Sequence, residues 1–279
     1  MKKKMLQKKF KVISNHKIKD NYFKLCLDAW DIASIARPGQ FVMIGLNWGV
    51  FEPLLRRPMS IHYVKNKEIE ILYETLGQGT QILSQKKPGE YLDVLGPLGN
   101  GFEISRLDAA SIILVAGGMG VAPLLYLAQK LMKRKMQNAK CKTLVLIGAK
   151  TKKNILCEKE FKELGCDVKI STDDGTRGFK GRVTELLGQT LADLKSPTSG
   201  MYTCGPAAML KSVASLASKY KIEAWGSLEA HMACGIGACM GCVIGVEDEN
   251  RYNKEGFVYQ RVCKDGPVFA LSQIIWERE

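Results

Sequence analysis

The stretch from Cys234 to Cys263 restricts this chain more than any other. It reads CGIGACMGC and then, after a gap of 20 residues, VCKDGP, a spacing of C-x4-C-x2-C-x20-C. Four thiolates delivered by one tight loop and one returning segment can enclose a metal centre. The first two gaps match the pattern of plant-type [2Fe–2S] sites. Gly235, Gly237 and Gly241 let the backbone wrap closely and turn its N–H groups toward sulfur. Such hydrogen bonds, together with burial, set a reduction potential. A structural zinc site with four cysteine ligands is the alternative. Zinc sites usually draw on two C-x2-C-like pairs, whereas this chain offers a triplet and one distant cysteine, so the spacing favours the cluster.

At 279 residues the chain has room for one large domain or two to three smaller ones. Its 46% hydrophobic and 25% charged residues are globular proportions and argue against disorder. Nine cysteines are too few for a secreted disulfide scaffold, and MKKKMLQKKFKVISN lacks the apolar core of a secretory signal. A reducing cytoplasm is therefore expected, with thiols free or on metal. The net charge is +13. The lysines are spread along the chain, apart from the first nine residues and Lys130 to Lys142, and no nucleic-acid motif accompanies them. A solvated, lysine-rich surface is expected rather than a nucleic-acid site. Lys2 to Lys9 reads as a disordered tail, with a docking arm for an acidic partner as the alternative. Ala109 to Ala128 carries no charge over a length that could span a membrane. A glycine cluster and Pro123 break its middle, so a buried strand, a glycine turn and a helix start are expected instead.

From Phe10 to about Leu95, short β-rich runs alternate with turn signals. FKVIS, YFKLCLD, QFVMIG and YLDVL are such runs, and in EIEILYE the residues Ile69 and Ile71 face one way, Glu68 and Glu70 the other. Pro38-Gly39 and Pro88-Gly89 punctuate them. Regular strands without helices predict a small barrel or sandwich. Within it, LLRRPMSI places an arginine beside a proline-stiffened strand followed by Ser60, which can grip phosphate while the backbone runs along a ring system. Gly77 and Gly79 precede Thr80 in a glycine turn able to approach a pyrophosphate. Each signal alone fits a surface kink or a plain turn; together they point to a flavin site. GPLGNGF, Gly96 to Phe102, reads equally as a ligand loop or as a linker at a domain border.

After Leu107 the rhythm becomes strand, helix, strand, helix, which predicts a parallel, doubly wound sheet. TLVLIGA, DVKIST and GMYTC are its further strands; FKELG, RVTELL and the run from Pro206 to Lys219 are its helices. The turn Gly117-Gly118-Met119-Gly120 departs from G-x-G-x-x-G, with Pro123 where the third glycine would stand. Its mechanics survive: bare backbone at a strand end and a helix start aimed at phosphate. Cys204-Gly205-Pro206 ends another strand, where open α/β sheets bind ligands. Without a neighbouring histidine, Cys204 is not expected to act as a covalent nucleophile. Asp173 could hold a ribose 2′-hydroxyl and favour NAD; Lys150, Lys152 and Lys153 could instead meet a 2′-phosphate.

Taken together, Arg57-Pro58-Met59-Ser60, Gly79-Thr80, the Gly117 turn and Cys204-Gly205-Pro206 resemble the ferredoxin reductase-like flavoproteins, in that family's order. Glu229-x-x-Met232 with the four-cysteine pattern and Asp265-Gly266-Pro267-Val268-Phe269 narrows the resemblance. It is to the electron-transfer subunits of heteromeric, NAD-linked dihydroorotate dehydrogenases. The resemblance implies three units: an FAD-binding β-barrel over 1–106, a doubly wound NAD-binding α/β domain over 107–225 and a small [2Fe–2S] domain over 226–279. Arg57, Pro58, Met59 and Ser60 would run beside the isoalloxazine and phosphates. Leu72, Tyr73 and Glu74 would hold the flavin, with Gly79 and Thr80 at the pyrophosphate. NAD would meet Gly117, Gly118, Gly120, Gly205 and Pro206, with Cys204 near the nicotinamide. Cys234, Cys239, Cys242 and Cys263 would carry the cluster facing an FMN-containing catalytic subunit, in a heterotetramer of two of each. Many reductases have an aromatic residue where Met59 stands. No acid–base residue is expected to be catalytic, since the cofactors carry the chemistry. The expected activity passes electrons from dihydroorotate, through the partner, to NAD+ in pyrimidine biosynthesis. Two rivals are a small subunit of an NADH-dependent ferredoxin:NADP+ or sulfide-type oxidoreductase and a zinc-stabilised binding module without redox activity.

Overall fold

The structure, a computed structural model, describes residues 5–46, 52–104, 111–135, 142–194, 198–248 and 256–276. Seven strands form the N-terminal sheet: β1 (Leu6–Lys19), β2 (Tyr22–Asp28), β3 (Phe41–Gly45), β4 (Arg57–Ser60), β5 (Tyr63–Lys65), β6 (Glu68–Glu74) and β7 (Tyr91–Leu98). They pair antiparallel in the order β4-β3-β7-β1-β2-β6-β5 and curl into a half-barrel. The alternation in β6 holds, with Ile69 and Ile71 buried and Glu68 and Glu70 at the rim. The concave face closes over Phe10, Val12, Leu25, Ile44, Ile71 and Val94.

Two features of this sheet differ from expectation for local reasons. Leu6 to Lys9 do not trail off: they pair with β7 from Leu6 opposite Gly96 to Lys9 opposite Asp93, and Lys8 meets Asp31 at 2.7 Å. Lys2 to Lys4 lie outside the described residues. The GQGT turn opens a short helix. After α1 (Trp30–Ala33), α2 runs from Gln78 to Ser84, and the Thr80 hydroxyl accepts from the N–H groups of Leu76 and Gly77 at 3.0 and 3.3 Å. Those bonds satisfy donors that a helix start leaves free, which offsets the poor helix propensity of two glycines.

The middle of the chain alternates β8 (Ser111–Gly117), α3 (Val121–Lys135), β9 (Lys142–Ala149), α4 (Glu158–Glu163), β10 (Asp167–Thr172), β11 (Phe179–Lys180), α5 (Val183–Ala192), β12 (Gly200–Cys204), α6 (Ala207–Tyr220) and β13 (Ala224–Ser227). These strands are parallel in the order β11-β10-β9-β8-β12-β13. The long apolar run therefore resolves into β8, a glycine turn and α3; no helix among the described residues is long and apolar enough to cross a membrane. Leu124, Leu125, Tyr126 and Leu127 are all but fully buried. Such a helix, apolar on every side, must be enclosed: α3 lies between the parallel sheet and the half-barrel.

The C-terminal segment forms a hairpin of β14 (Val243–Glu247) and β15 (Phe257–Arg261), extended at its loop end by the Asp248 N–H donating to the Gly256 carbonyl at 3.1 Å. Residues 249–255, most of the stretch EDENRYNKEGF between the two strands, lie outside the described residues. The chain then returns as β16 (Val268–Ala270), antiparallel to β13. The boundary expected at 225/226 thus falls inside β13, and the one at 106/107 lies outside the described residues.

Candidate functional site

The parallel sheet reverses its strand order between β8 and β12, and the carboxyl ends of such strands bound a ligand crevice. A cavity of about 590 Å³ opens there. Gly117 and Gly118 line it after β8, Gly148 and Lys150 at the end of β9, Asp173 after β10, and Gly205 and Pro206 after β12. Only glycine fits at position 120. A Cβ there would stand 1.9 Å from the Cys204 carbonyl oxygen, so the start of α3 rests on the end of β12. Gly118 has φ +54°, and nothing lies within 4 Å of where its Cβ would be, which leaves bare backbone facing the cavity. That surface suits a pyrophosphate. Asp173 and Lys150 both line the cavity; Lys152 and Lys153 do not. Arg182 also lines it. No motif marks that residue, which merely precedes α5.

A second cavity, about 410 Å³, lies against the half-barrel. Pro58, Met59 and Ser60 of β4 line it, as do Leu72, Tyr73 and Glu74 of β6, together with Thr80 and Cys204. Alternation along β6 gives these neighbours different parts. Tyr73 turns inward, its hydroxyl donating to Asn15 Oδ1 at 3.0 Å and its ring stacked on Phe23 at 5.6 Å. Burial pushes its pKa up to about 12, so it stays a neutral anchor and offers its backbone to the cavity. Arg57 and Gly79, separated in the chain by β5 and β6, come together. A Cβ at Gly79 would stand 2.5 Å from Arg57 Nε, so the missing side chain is what lets the guanidinium lie over the start of α2. This is an electropositive cradle of the kind a diphosphate needs. Neither residue is itself in the cavity wall.

Glu74, Met119 and Glu229 line both cavities, which therefore meet at these three side chains. Glu229 retains solvent access, yet partial desolvation of its carboxyl at the junction raises its pKa. The Cys204 thiol beside it is buried, and desolvation, with the Glu229 charge second, holds its pKa far above the ordinary range. It remains a neutral thiol, in keeping with the expectation that it is no nucleophile.

The cysteine loop has the opposite character. The Cys234 sulfur accepts from the N–H groups of Ala238 and Cys239 at 3.3 and 3.5 Å. Burial opposes ionisation of this thiol, but N–H donors of Cys239, Ile236 and Ala238, with the Cys239 thiol, outweigh it and bring the pKa down to about 6. Cys242 accepts from the Cys263 N–H at 3.4 Å, and Cys263 is pushed up to about 12 by burial and by Cys242. Gly235 and Gly237 supply the positive φ values, +71° and +82°, that the loop requires. Arg261 ties the returning segment to the loop: its Nε donates to Asp265 at 2.8 Å and its Nη1 to the Gly237 carbonyl at 3.1 Å. Cys234 thus interacts with Cys239, and Cys263 with both Cys242 and Cys234. Among the described residues no three His, Cys, Asp or Glu side chains are grouped to hold a single ion. Two thiolates per iron is the arrangement of a two-iron centre, whereas zinc gathers four ligands on one point. The donor set fits the cluster.

Comparison with known proteins places these features in context. Residues 229–275 match the iron-sulfur cluster binding domain of dihydroorotate dehydrogenase B, and residues 114–215 match the oxidoreductase NAD-binding domain. The chain is 38% identical over 269 residues to the dihydroorotate dehydrogenase B (NAD(+)) electron transfer subunit of Desulforamulus reducens, covering 96% of this chain and 97% of that one. It is 39% identical over 276 residues to the same-named subunit of Bacillus cereus, covering 97% and 100%. Among solved structures, an NADH-dependent reduced ferredoxin-NADP oxidoreductase superposes with a TM-score of 0.80 at 28% identity, over 96% of this chain and 90% of that one. The ferredoxin reductase of carbazole 1,9a-dioxygenase shares the fold, with a TM-score of 0.61 at 18% identity over 78% of this chain and 65% of that one.

Proposed function

The chain belongs to the family of electron transfer subunits of dihydroorotate dehydrogenase B (NAD(+)), and from that premise we propose which of its residues carry electrons between a catalytic partner and NAD+. It is the oxidoreductase subunit that links oxidation of dihydroorotate, a step of pyrimidine biosynthesis, to the nicotinamide. The observation that carries the site assignment is the junction at Glu74, Met119 and Glu229, where the two cavities become one space. When bound, a flavin supplies the exchange between two-electron hydride transfer and single-electron transfer that joins a nicotinamide to an iron–sulfur centre.

The chain's own residues bind and exclude. Pro58, Met59 and Ser60 with Leu72, Tyr73 and Glu74 hold the flavin ring; Arg57, Gly79 and Thr80 hold its diphosphate. Gly117, Gly118, Gly120, Gly205 and Pro206 receive NAD, and Asp173 at the strand end supports NAD over NADP. Cys204 keeps a neutral, apolar wall where the two rings meet and keeps water away from them. Cys234, Cys239, Cys242 and Cys263 would hold the iron–sulfur cluster, which would supply single-electron transfer. Cys239 is exposed, with Ile236 and Met240 43% and 48% exposed on the same loop, so this face meets the partner. We assign that partner as an FMN-containing catalytic subunit in a heterotetramer of two of each. The eight described cysteines are all free, in keeping with a cytoplasmic setting. The three units 1–106, 107–225 and 226–279 remain the proposed division of labour.

The solved structure at 28% identity favours a second reading, in which the donor is ferredoxin and NADP+ takes part. Purification of the complex without oxygen separates them. Flavin and cluster absorbance, stoichiometric iron and sulfide, and dihydroorotate-dependent NAD+ reduction are the expected results. Turnover only with reduced ferredoxin selects the second reading, and a colourless protein holding zinc overturns both.

A further inference from the structure

We propose that α3 is a positioning element for hydride transfer, its register against the half-barrel fixed by His62, Tyr126 and Gln129. The inference rests on the reading above, in which the two cavities hold nicotinamide and flavin. The helix starts one residue after Gly120, and the turn just before it carries Met119, which lines both cavities. Ala122 and Pro123, in its first turn, line the flavin cavity. The position of α3 along its own axis therefore decides how the nucleotide turn sits relative to the flavin wall.

Three hydrogen bonds set that position. His62, just after β4, has its Nδ1 2.9 Å from the Ala122 carbonyl, to which it donates. The Tyr126 hydroxyl donates to the Ala36 carbonyl at 2.8 Å, and Gln129 Nε2 donates to the Val64 carbonyl at 2.8 Å. Ala122, Tyr126 and Gln129 are spaced i, i+4, i+7, so all three bonds leave one face of the helix. They connect it to separate points of the N-terminal sheet and its loops. His62 and Tyr126 are fully buried and Gln129 is 5% exposed. The Tyr126 ring sits within the half-barrel's own apolar core, although its backbone belongs to the nucleotide-binding half.

Burial is what gives these bonds their control. Apolar side chains slide over one another at little cost, because the hydrophobic effect is non-directional. A dry hydrogen bond has a direction, and a buried polar group that loses its partner has no water to replace it. Axial sliding or rotation of α3 breaks all three bonds together. Hydride transfer is sensitive to such motion, since misplacing reacting groups by about 1 Å can cost on the order of a hundredfold in rate.

The test is stopped-flow reduction of the FAD-loaded complex by NADH and by 4-deuterated NADH, in wild type, Tyr126→Phe and the Tyr126→Phe/Gln129→Leu pair. Tyr126→Phe keeps the ring and removes only the hydroxyl. Expected results are retained FAD, a rate of flavin reduction lower by about tenfold, a weaker nicotinamide–flavin charge-transfer band and an altered deuterium isotope effect. The pair should be slower still. A merely structural role lowers melting temperature or FAD content and leaves the band and isotope effect of the loaded fraction as in wild type; that result overturns the proposal. So does wild-type reduction by Tyr126→Phe. If the wild-type complex itself shows no NADH-dependent flavin reduction, it is the preceding reading that has failed.

Discussion

The nucleotide turn and the cysteine loop are both rich in glycine, yet they need it for different reasons. At Gly120 the obstacle is backbone: a Cβ would sit 1.9 Å from the Cys204 carbonyl oxygen and 2.9 Å from the Gly205 nitrogen. Neither strand nor helix can move away. At Gly237 the obstacle is a side chain, Lys264, and the backbone requirement is the φ of +82°. The turn around Gly120 is packed against buried neutral groups such as Cys204. The loop is wet and held by a charged fork, Arg261 with Asp265. One glycine site thus serves close packing and the other serves dihedral freedom, so the two regions should fail differently.

The largest effect is functional and belongs to the loop. Cys239→Ser should lower dihydroorotate-dependent NAD+ reduction by more than about a hundredfold, beyond the loss typical of an outer-shell partner of a metal. NADH reduction of bound FAD in the same variant should persist, because hydride transfer to the flavin precedes the cluster on that route. Loss of flavin reduction with FAD still bound would place the carriers in the wrong order. Next comes Gly120→Ala, for which urea unfolding should show a loss of about 3 kcal/mol or more, since overpacking against backbone cannot relax.

A third comparison uses pH. Burial, opposed by the bond to Ala122, lowers the His62 pKa to about 4. Below the unfolded value of about 6.5, the unfolded chain binds a proton that the folded chain refuses. Stability should therefore fall as pH drops from about 6.5 to about 4, by up to about 3 kcal/mol, and His62→Gln should flatten that part of the profile. Equal slopes in the two proteins would remove His62 from the account. The smallest expected change is Gly237→Ala, about 1–2 kcal/mol from left-handed strain, with iron and sulfide content retained. If it proves as damaging as Gly120→Ala, the contrast between the two glycine sites is lost.

What could be read from the chain beforehand was what is local. Cysteine spacing constrains ligand sets because a loop of a few residues cannot scatter its thiols far. The glycine turn after β8 and the Cys204 turn after β12 were legible for the same reason: strand, turn and helix start are contiguous. The junction was not. Glu74, Met119 and Glu229 are far apart in sequence, and only the packing of half-barrel on sheet brings them to one place. The seam along α3 was equally hidden, since His62 and Tyr126 find partners 60 and 90 residues away. Nothing in VAPLLYLAQKLM distinguishes a tyrosine that fills its own domain's core from one that enters its neighbour's. The helix at Gln78–Ser84 escaped because two glycines argue against it, and the hydroxyl of Thr80 reverses that balance only once the turn is formed.

The path of the chain around the cysteine loop has a further consequence. It leaves the parallel sheet at β13 and re-enters beside the same strand at β16, with the Leu228 N–H donating to the Pro267 carbonyl at 2.9 Å across the doorway. Leu228 and Pro267 also form part of the second cavity's wall. The excursion that carries the four cysteines thus leaves and rejoins the sheet at one strand, and Asn100 clasps it a second time, its amide donating to the Lys264 and Asp265 carbonyls at 3.2 and 2.7 Å. A partner seated on the loop would bear on both anchorages, one of which borders the second cavity.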